Sequence, residues 1–201
     1  MGQALLTLLV MAKNEAASIV RTMGSAKAYV DRWILLDTGS TDGTQELARE
    51  AMAGVPGEVH EEPFVDFATS RNRGLALCGE STPFVLWMDA DDALEGGDAL
   101  RSFLSEIPRG RAEHEAFYVH VALEPSGVEF ESARVVDAAA GWRFQGSVHE
   151  VLTKEGRGPP TVRIPGVRIR HAVDENASAK SRARWERDVP LLRAERERDP
   201  S

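Results

Sequence analysis

The run Phe84-Val85-Leu86-Trp87-Met88, followed at once by Asp89-Ala90-Asp91-Asp92, constrains this chain most. An apolar run of that length, ended by charge, reads as a buried strand that stops where a sheet meets water. Open α/β sheets bind ligands at the carboxyl ends of their strands. Asp89 and Asp91, spaced i, i+2 across a turn, can share one divalent cation, and oxygen ligands suit Mg²⁺ or Mn²⁺. Three acids this close repel one another without a cation. A metal–nucleotide site is therefore expected, provided the rest of the chain supplies a nucleotide pocket.

The neighbouring segments supply the layers such a site needs. Ala4–Met11 is a nearly continuous apolar strand. Asn14 is placed to cap a helix on which Ile19, Met23, Ala26 and Val30 keep near-helical spacing. Trp33-Ile34-Leu35-Leu36-Asp37 is a second buried strand, and it runs into the turn-rich loop Thr38-Gly39-Ser40-Thr41-Asp42-Gly43-Thr44. A helix carrying Leu47, Ala48, Ala51 and Met52 follows, broken at Val55-Pro56-Gly57. A short strand is expected near Glu58–Pro63. Phe67, Arg71, Leu75 and Cys78 then share a helical face. This alternation predicts an α/β fold with a doubly wound, mostly parallel, Rossmann-like sheet. Beyond a short helix at Leu100–Ile107, strands are expected at Ala116–Leu123, Glu129–Val136 and Thr161–Arg170, forming a smaller mixed β extension. Ala177–Arg198 reads as a charged C-terminal helix with Trp185, Val189, Leu192 and Ala194 as its apolar thread, kinked at Pro190. Asp199-Pro200 reads as a domain boundary.

A net charge of −8 argues against a nucleic-acid footprint, which needs a basic face. The single Cys78 forbids an intrachain disulfide and fits a reducing compartment. The first apolar stretch is too short to span a membrane and is followed by Lys13-Asn14-Glu15, so it reads as a strand and not as a transmembrane segment or signal peptide. The expected location is the cytoplasm.

The candidate site residues each have a plainer reading. Asp37, at a strand end, can hydrogen-bond a base or ribose, or simply open a βα turn capped by Thr41 or Asp42. No Gly-Lys-Ser/Thr follows, so the loop is not a Walker phosphate loop. Arg71 suits bidentate phosphate contact, and sharing a face with Phe67 and Leu75 makes pure solvation a poor account of it. Asp89 and Asp91 also read as N-caps. An Asp-x-Asp after an apolar strand suits an aspartyl phosphatase too, which would want Gly-Thr next, whereas Asp92-Ala93-Leu94 follows. In Gly141-Trp142-Arg143-Phe144-Gln145-Gly146-Ser147-Val148-His149-Glu150, His149 is a ligand or acceptor contact. Glu150 is a general base in an apolar, Trp-flanked setting, or a polar strand edge. His171 ends the last strand.

Taken together, these segments resemble a family 2 glycosyltransferase with the GT-A fold. The resemblance is carried by Lys13-Asn14-Glu15, Leu36-Asp37-Thr38-Gly39-Ser40-Thr41-Asp42-Gly43-Thr44, Asp66-Phe67-Ala68-Thr69-Ser70-Arg71-Asn72 and Trp87-Met88-Asp89-Ala90-Asp91-Asp92. Gly146-Ser147-Val148-His149-Glu150 and His171 further resemble a bacterial subgroup whose catalytic domain is often followed by tetratricopeptide repeats. The resemblance implies one catalytic domain over 1–201, with 1–107 as the nucleotide-sugar half and 108–201 as the acceptor-side half with the C-terminal helix. It implies a hexosyltransferase-class enzyme that moves a sugar, with inversion, from a nucleoside diphosphate sugar (a UDP-sugar favoured) to a hydroxyl of a saccharide, lipid-linked or protein acceptor. Ala12, Asn14, Glu15, Asp37 and Thr38 would hold the nucleoside, and Arg71 would approach base or diphosphate. Asp89 and Ala90 would meet ribose or metal. Asp91 and His171 would ligate Mn²⁺ or Mg²⁺, Glu150 would be the base, and Trp87 and His149 would lie on the acceptor side. The chain departs from the family in having Asp37-Thr38 where many members pair two acids, and in lacking a Glu-Asp pair after Asp92. His149 and His171 are interchangeable on this reading. A non-catalytic sugar-nucleotide binder and a nucleotidyltransferase on a related sheet stay as alternatives; the latter would want a Gly-rich basic loop after strand one.

Overall fold

The continuous apolar runs become strands because each is covered on two sides. In the computed structural model, which describes residues 4–108, 110–111, 114–148, 150–172, 188–193 and 196–197, β1 (Leu6–Ala12) lies between β2 (Arg32–Asp37) and β4 (Phe84–Asp89), parallel to both. β3 (Gly57–Glu61) extends the parallel set beyond β2. Leu8, Val10, Leu35, Leu86 and Met88 point to one face, against Ile19 and Met23 of α1 (Ile19–Ala26), Ala48 of α2 (Thr44–Ala51), and Leu100 and Leu104 of α4 (Gly97–Glu106). Leu9, Ile34, Val85 and Trp87 point to the other, against Ala68 and Cys78 of α3 (Phe67–Cys78) and against Trp142, Phe144 and Leu152. Helices on both faces make the sheet doubly wound, as expected. Each fully buried leucine in it contributes about 1.5–3 kcal/mol of apolar burial.

α3 is the helix that matters for the site. Asp66 caps it, accepting the Thr69 N–H at 2.6 Å. Gly74 lets it lie close to the sheet: a Cβ there would come within 2.9 Å of Leu9 Cδ1. One turn earlier on the same face, Arg71 is brought to the end of β4.

The second half completes an eight-stranded sheet in the order β3-β2-β1-β4-β7-β6-β10-β5. β7 (Val128–Asp137) runs antiparallel to β4 and to β6 (Ala116–Glu124). β10 (Arg163–Ala172) is parallel to β6. The edge strand β5 (Asp92–Glu95) pairs antiparallel with β10, with His171 opposite Asp92. Within this sheet, antiparallel pairing is thus confined to the mixed extension. A separate hairpin, β8 (Arg143–Gln145) with β9 (Val151–Thr153), packs on α3.

One expectation is corrected, and two elements are new. Asn14 does not cap α1, whose N-cap position is Ser18; Asn14 instead adopts φ 55° and its Oδ1 accepts the Thr41 N–H at 2.9 Å. Asp92 opens β5, a strand too short to show a period. The β8–β9 hairpin was equally invisible, its strands being three residues each. Of the C-terminal helix, residues 188–193 and 196–197 are helical, Pro190 included, while Ala177 to Arg187, Ala194, Glu195 and Arg198 lie outside the described residues. No helix among the described residues is long and apolar enough to cross a membrane.

Candidate active site

The carboxyl ends of β1, β2 and β4 form one rim of a cleft of about 430 Å³, large enough for a small-molecule ligand. Ala12 ends β1, with Lys13 and Glu15 after it; Thr38 follows β2; Asp89 ends β4, with Ala90 and Asp91 after it. Phe64, Phe67 and Arg71 come from α3 and its approach. Val148, Glu150, His171 and Asp188 close the opposite rim. The two halves of the chain therefore meet in one cavity.

The loops after β1 and β2 are pinned to each other. Asn14 N–H donates to Ser40 Oγ, Glu15 N–H to Thr44 Oγ1 and Ala16 N–H to Asp42 Oδ2, at 2.8–3.0 Å. Thr38 donates to the Ala12 carbonyl through both its N–H and its hydroxyl. Asp37 is fully buried; its carboxylate accepts the Ser40 N–H and the Gln45 side-chain amide at 2.9–3.0 Å. Neither Asp37 nor Asn14 reaches the cleft wall. Both shape the loops that do.

Charge converges at the end of β4. Arg71 donates from Nε to Glu150 Oε1 and from Nη2 to Asp89 Oδ1, each at 2.6 Å. Its guanidinium lies 4.5 Å from the Trp87 ring centre, a cation–π support. Arg134 of β7 lies 4.0 Å from the same ring and donates to Asp89 Oδ2 and Asp92 Oδ2 at 3.2 Å. Trp87 is therefore a buried platform beneath two arginines. Burial works to raise the Asp89 pKa, but Arg71 and Arg134 outweigh it and hold the carboxyl well below the usual range.

Asp91 has the opposite balance. Burial, with the like charges of Asp89, Asp92 and Glu15, pushes it up to about 6 against the pull of His171. The hydrogen bond to Asp92, opposed by burial and aided by Asp91 and Asp89, raises His171. Asp89, Asp92 and His171 place one ligand atom each within 4.8 Å of one another. Those atoms are already paired: His171 Nδ1 lies 2.8 Å from Asp92 Oδ1, Asp92 is fully buried, and both Asp89 oxygens face arginines. The trio is an ion-pair network; Asp91, which lines the cleft 3.4 Å from His171 Nδ1, and the second His171 nitrogen stand outside it. A carboxylate and an imidazole suit a divalent cation, and an under-neutralised acid is where a cation gains most.

Of the residues singled out from sequence, the cleft wall gathers Ala12, Glu15, Thr38, Arg71, Asp89, Ala90, Asp91, Glu150 and His171. His149 lies outside the described residues. Sequence reasoning missed Arg134, whose surroundings Ser132-Ala133-Arg134-Val135-Val136 show only a strand, and the buried role of Asp92. It also gave Phe64 no role at the cleft.

The fold and this cleft define an α/β domain with acids gathered at a strand end. The sequence model of glycosyl transferase family 2 matches residues 7–122, more than half of the chain, and the protein belongs to that family. A TPR repeat-containing protein of Synechococcus elongatus is 35% identical over 107 residues, covering 52% of this chain and 25% of its own length. An uncharacterized glycosyltransferase of Rickettsia felis is 33% identical over 85 residues, covering 42% of this chain and 28% of its own. The chain thus spans about a quarter of the length of the curated relatives it matches. Among solved structures, Staphylococcus aureus TarS is similar with TM-score 0.49 and 19% identity, over 60% of this chain and 22% of that one. Glucosyl-3-phosphoglycerate synthase from Mycobacterium tuberculosis, in complex with Mg²⁺ and UDP, is similar with TM-score 0.46 and 21% identity, over 59% and 44%.

Proposed function

We propose that this domain transfers one sugar from a nucleoside diphosphate sugar, with a UDP-sugar favoured, to an acceptor hydroxyl. The observation that carries the proposal is the cleft itself: in a family 2 chain, Arg71, Asp91, Glu150 and His171 line one cavity at the carboxyl ends of parallel strands. The single domain 1–201 then divides by role, residues 1–107 holding the donor and 108–201 the acceptor side.

The β1 and β2 loops, through Ala12, Glu15 and Thr38, hold the nucleoside, and Asn14 and Asp37 keep those loops in place. Asp89 and Ala90 face the ribose and diphosphate. Asp91 and His171 hold Mn²⁺ or Mg²⁺, which when bound neutralises charge on the leaving diphosphate. Acids outnumber bases on the cleft wall, so a diphosphate alone is repelled there. Arg71 is the guanidinium able to turn from the carboxylates to a phosphate oxygen. Glu150 takes the acceptor proton as the acceptor oxygen bonds to the anomeric carbon and the bond to the diphosphate oxygen breaks. That single in-line displacement inverts the anomeric centre. His149 is the acceptor-side contact, the acceptor being a saccharide, lipid-linked or protein hydroxyl. The one cysteine suits a reducing compartment, and the proposed location is the cytoplasm.

The test is donor turnover. Purified protein with Mn²⁺ or Mg²⁺ releases nucleoside diphosphate from one nucleotide sugar in a panel. A protein that neither binds nor hydrolyses any of them under those conditions sinks the proposal.

A further inference from the structure

Two residues outside the cleft wall decide what that wall presents. Asp92 stands opposite His171 in the β5–β10 ladder and is fully buried. Its Oδ2 accepts the Asp89 N–H at 2.9 Å and Arg134 Nη1 at 3.2 Å, and its Oδ1 lies 2.8 Å from His171 Nδ1. Receiving donors on one oxygen, Asp92 acts as an acceptor on the other. The imidazole nitrogen facing it then carries a proton, and Nε2 keeps its lone pair. Nδ1 also lies 3.4 Å from Asp91 Oδ1, a longer contact on the same ring edge.

Arg134 does the corresponding work for the acids. Its side chain is 6% exposed, and Nη1 joins Asp89 to Asp92 while the guanidinium rests on Trp87. Among the described residues its buried Nε has no hydrogen-bond partner. A buried ion pair with an orphaned donor adds little net stability. What it fixes is geometry: two carboxylates that would otherwise repel are held within one guanidinium's reach.

We infer that Asp92 and Arg134 are positioning residues, Asp92 fixing His171 as the Nδ1–H tautomer with Nε2 offered to the cleft, and Arg134 locking Asp92 to Asp89. The cation that Nε2 would meet belongs to the function proposed above; the tautomer does not depend on it. A hydrogen-bonded carboxylate behind a ligating imidazole is the arrangement that sets ring orientation and basicity at metal centres.

The experiment uses metal-free protein with ¹⁵N-labelled histidine at pH 9, read by long-range ¹H–¹⁵N correlation, and Mn²⁺ titration followed by electron paramagnetic resonance. In the wild-type protein His171 shows Nδ1–H with Nε2 unprotonated. Asp92→Asn mixes the tautomers and weakens Mn²⁺ binding about 10–100-fold. Arg134→Met weakens Mn²⁺ binding, and Arg134→Lys restores most of it. A wild-type His171 protonated at Nε2 overturns the inference, and needs no variant to fold. So does a folded Asp92→Asn protein with unchanged tautomer and Mn²⁺ affinity. Wild-type protein with the Nδ1–H tautomer but no Mn²⁺ uptake supports the positioning of His171 and overturns the metal-dependent reading above.

Discussion

Glu150 and Asp91 carry the sharpest consequences at the scale of single residues. Glu150 is held by Arg71 Nε at 2.6 Å, so in the proposed mechanism it acts as a base only when a phosphate draws that guanidinium away. Glu150→Gln removes the proton acceptor and leaves the donor contacts. Turnover should fall about 10²–10⁴-fold, with donor affinity by calorimetry changed only slightly. A non-catalytic binder would be indifferent to the substitution, and unchanged product release would remove Glu150 from the mechanism. Asp91 titrates near 6 in the folded protein, above the ordinary value of 3.8, chiefly because it is buried. A raised folded pKa means the protonated carboxyl favours the fold; that contribution is full below 3.8 and is lost as pH rises through about 6. Above pH 6 the ionised group therefore works against folding. Asp91→Asn should raise the melting temperature of metal-free protein at pH 7.5 while abolishing Mn²⁺ binding. In the wild-type protein Mn²⁺ affinity should decline as pH drops through 6, since proton and cation compete for one carboxylate. A lower melting temperature, or Mn²⁺ binding that survives the substitution, contradicts this account of Asp91.

At the scale of elements, α3 is the part that joins stability to function. Its Asp66 cap and the close approach at Gly74 place Arg71 over Trp87. Gly74→Val pushes a side chain into Leu9, and overpacking of this kind costs about 1–3 kcal/mol. A chain this long should lose roughly 2–4 °C of melting temperature per kcal/mol. Donor affinity should fall with it, because Arg71 sits one turn away; a stable Gly74→Val protein with wild-type affinity would uncouple the helix from the site. The main strands and α3 were readable because apolar runs and a capped periodic face are local signals. β5, β8 and β9 were not, because three or four residues show no period. The buried role of Asp92 was hidden because its partners, His171 and Arg134, are 79 and 42 residues away. Asp37 was legible as a strand-end acid, but the loop that buries it behind Ser40 and Gln45 depends on side-chain packing that no spacing rule records.

At the scale of the molecule, an acidic protein has a cleft whose acids outnumber its bases, and the proposed donor is itself a polyanion. On that proposal, electrostatics make a cation part of the binding site. A ligand that binds only the native state raises the melting temperature in proportion to its occupancy, so a thermal-shift panel of UDP-, GDP-, CMP- and dTDP-sugars, with and without Mn²⁺, tests this directly. One nucleoside diphosphate sugar, a UDP-sugar by expectation, should raise the melting temperature of wild-type protein with Mn²⁺ and have little effect without it. No shift from any donor in the presence of Mn²⁺, or an equal shift with and without the cation, would contradict metal-dependent donor binding at this cleft.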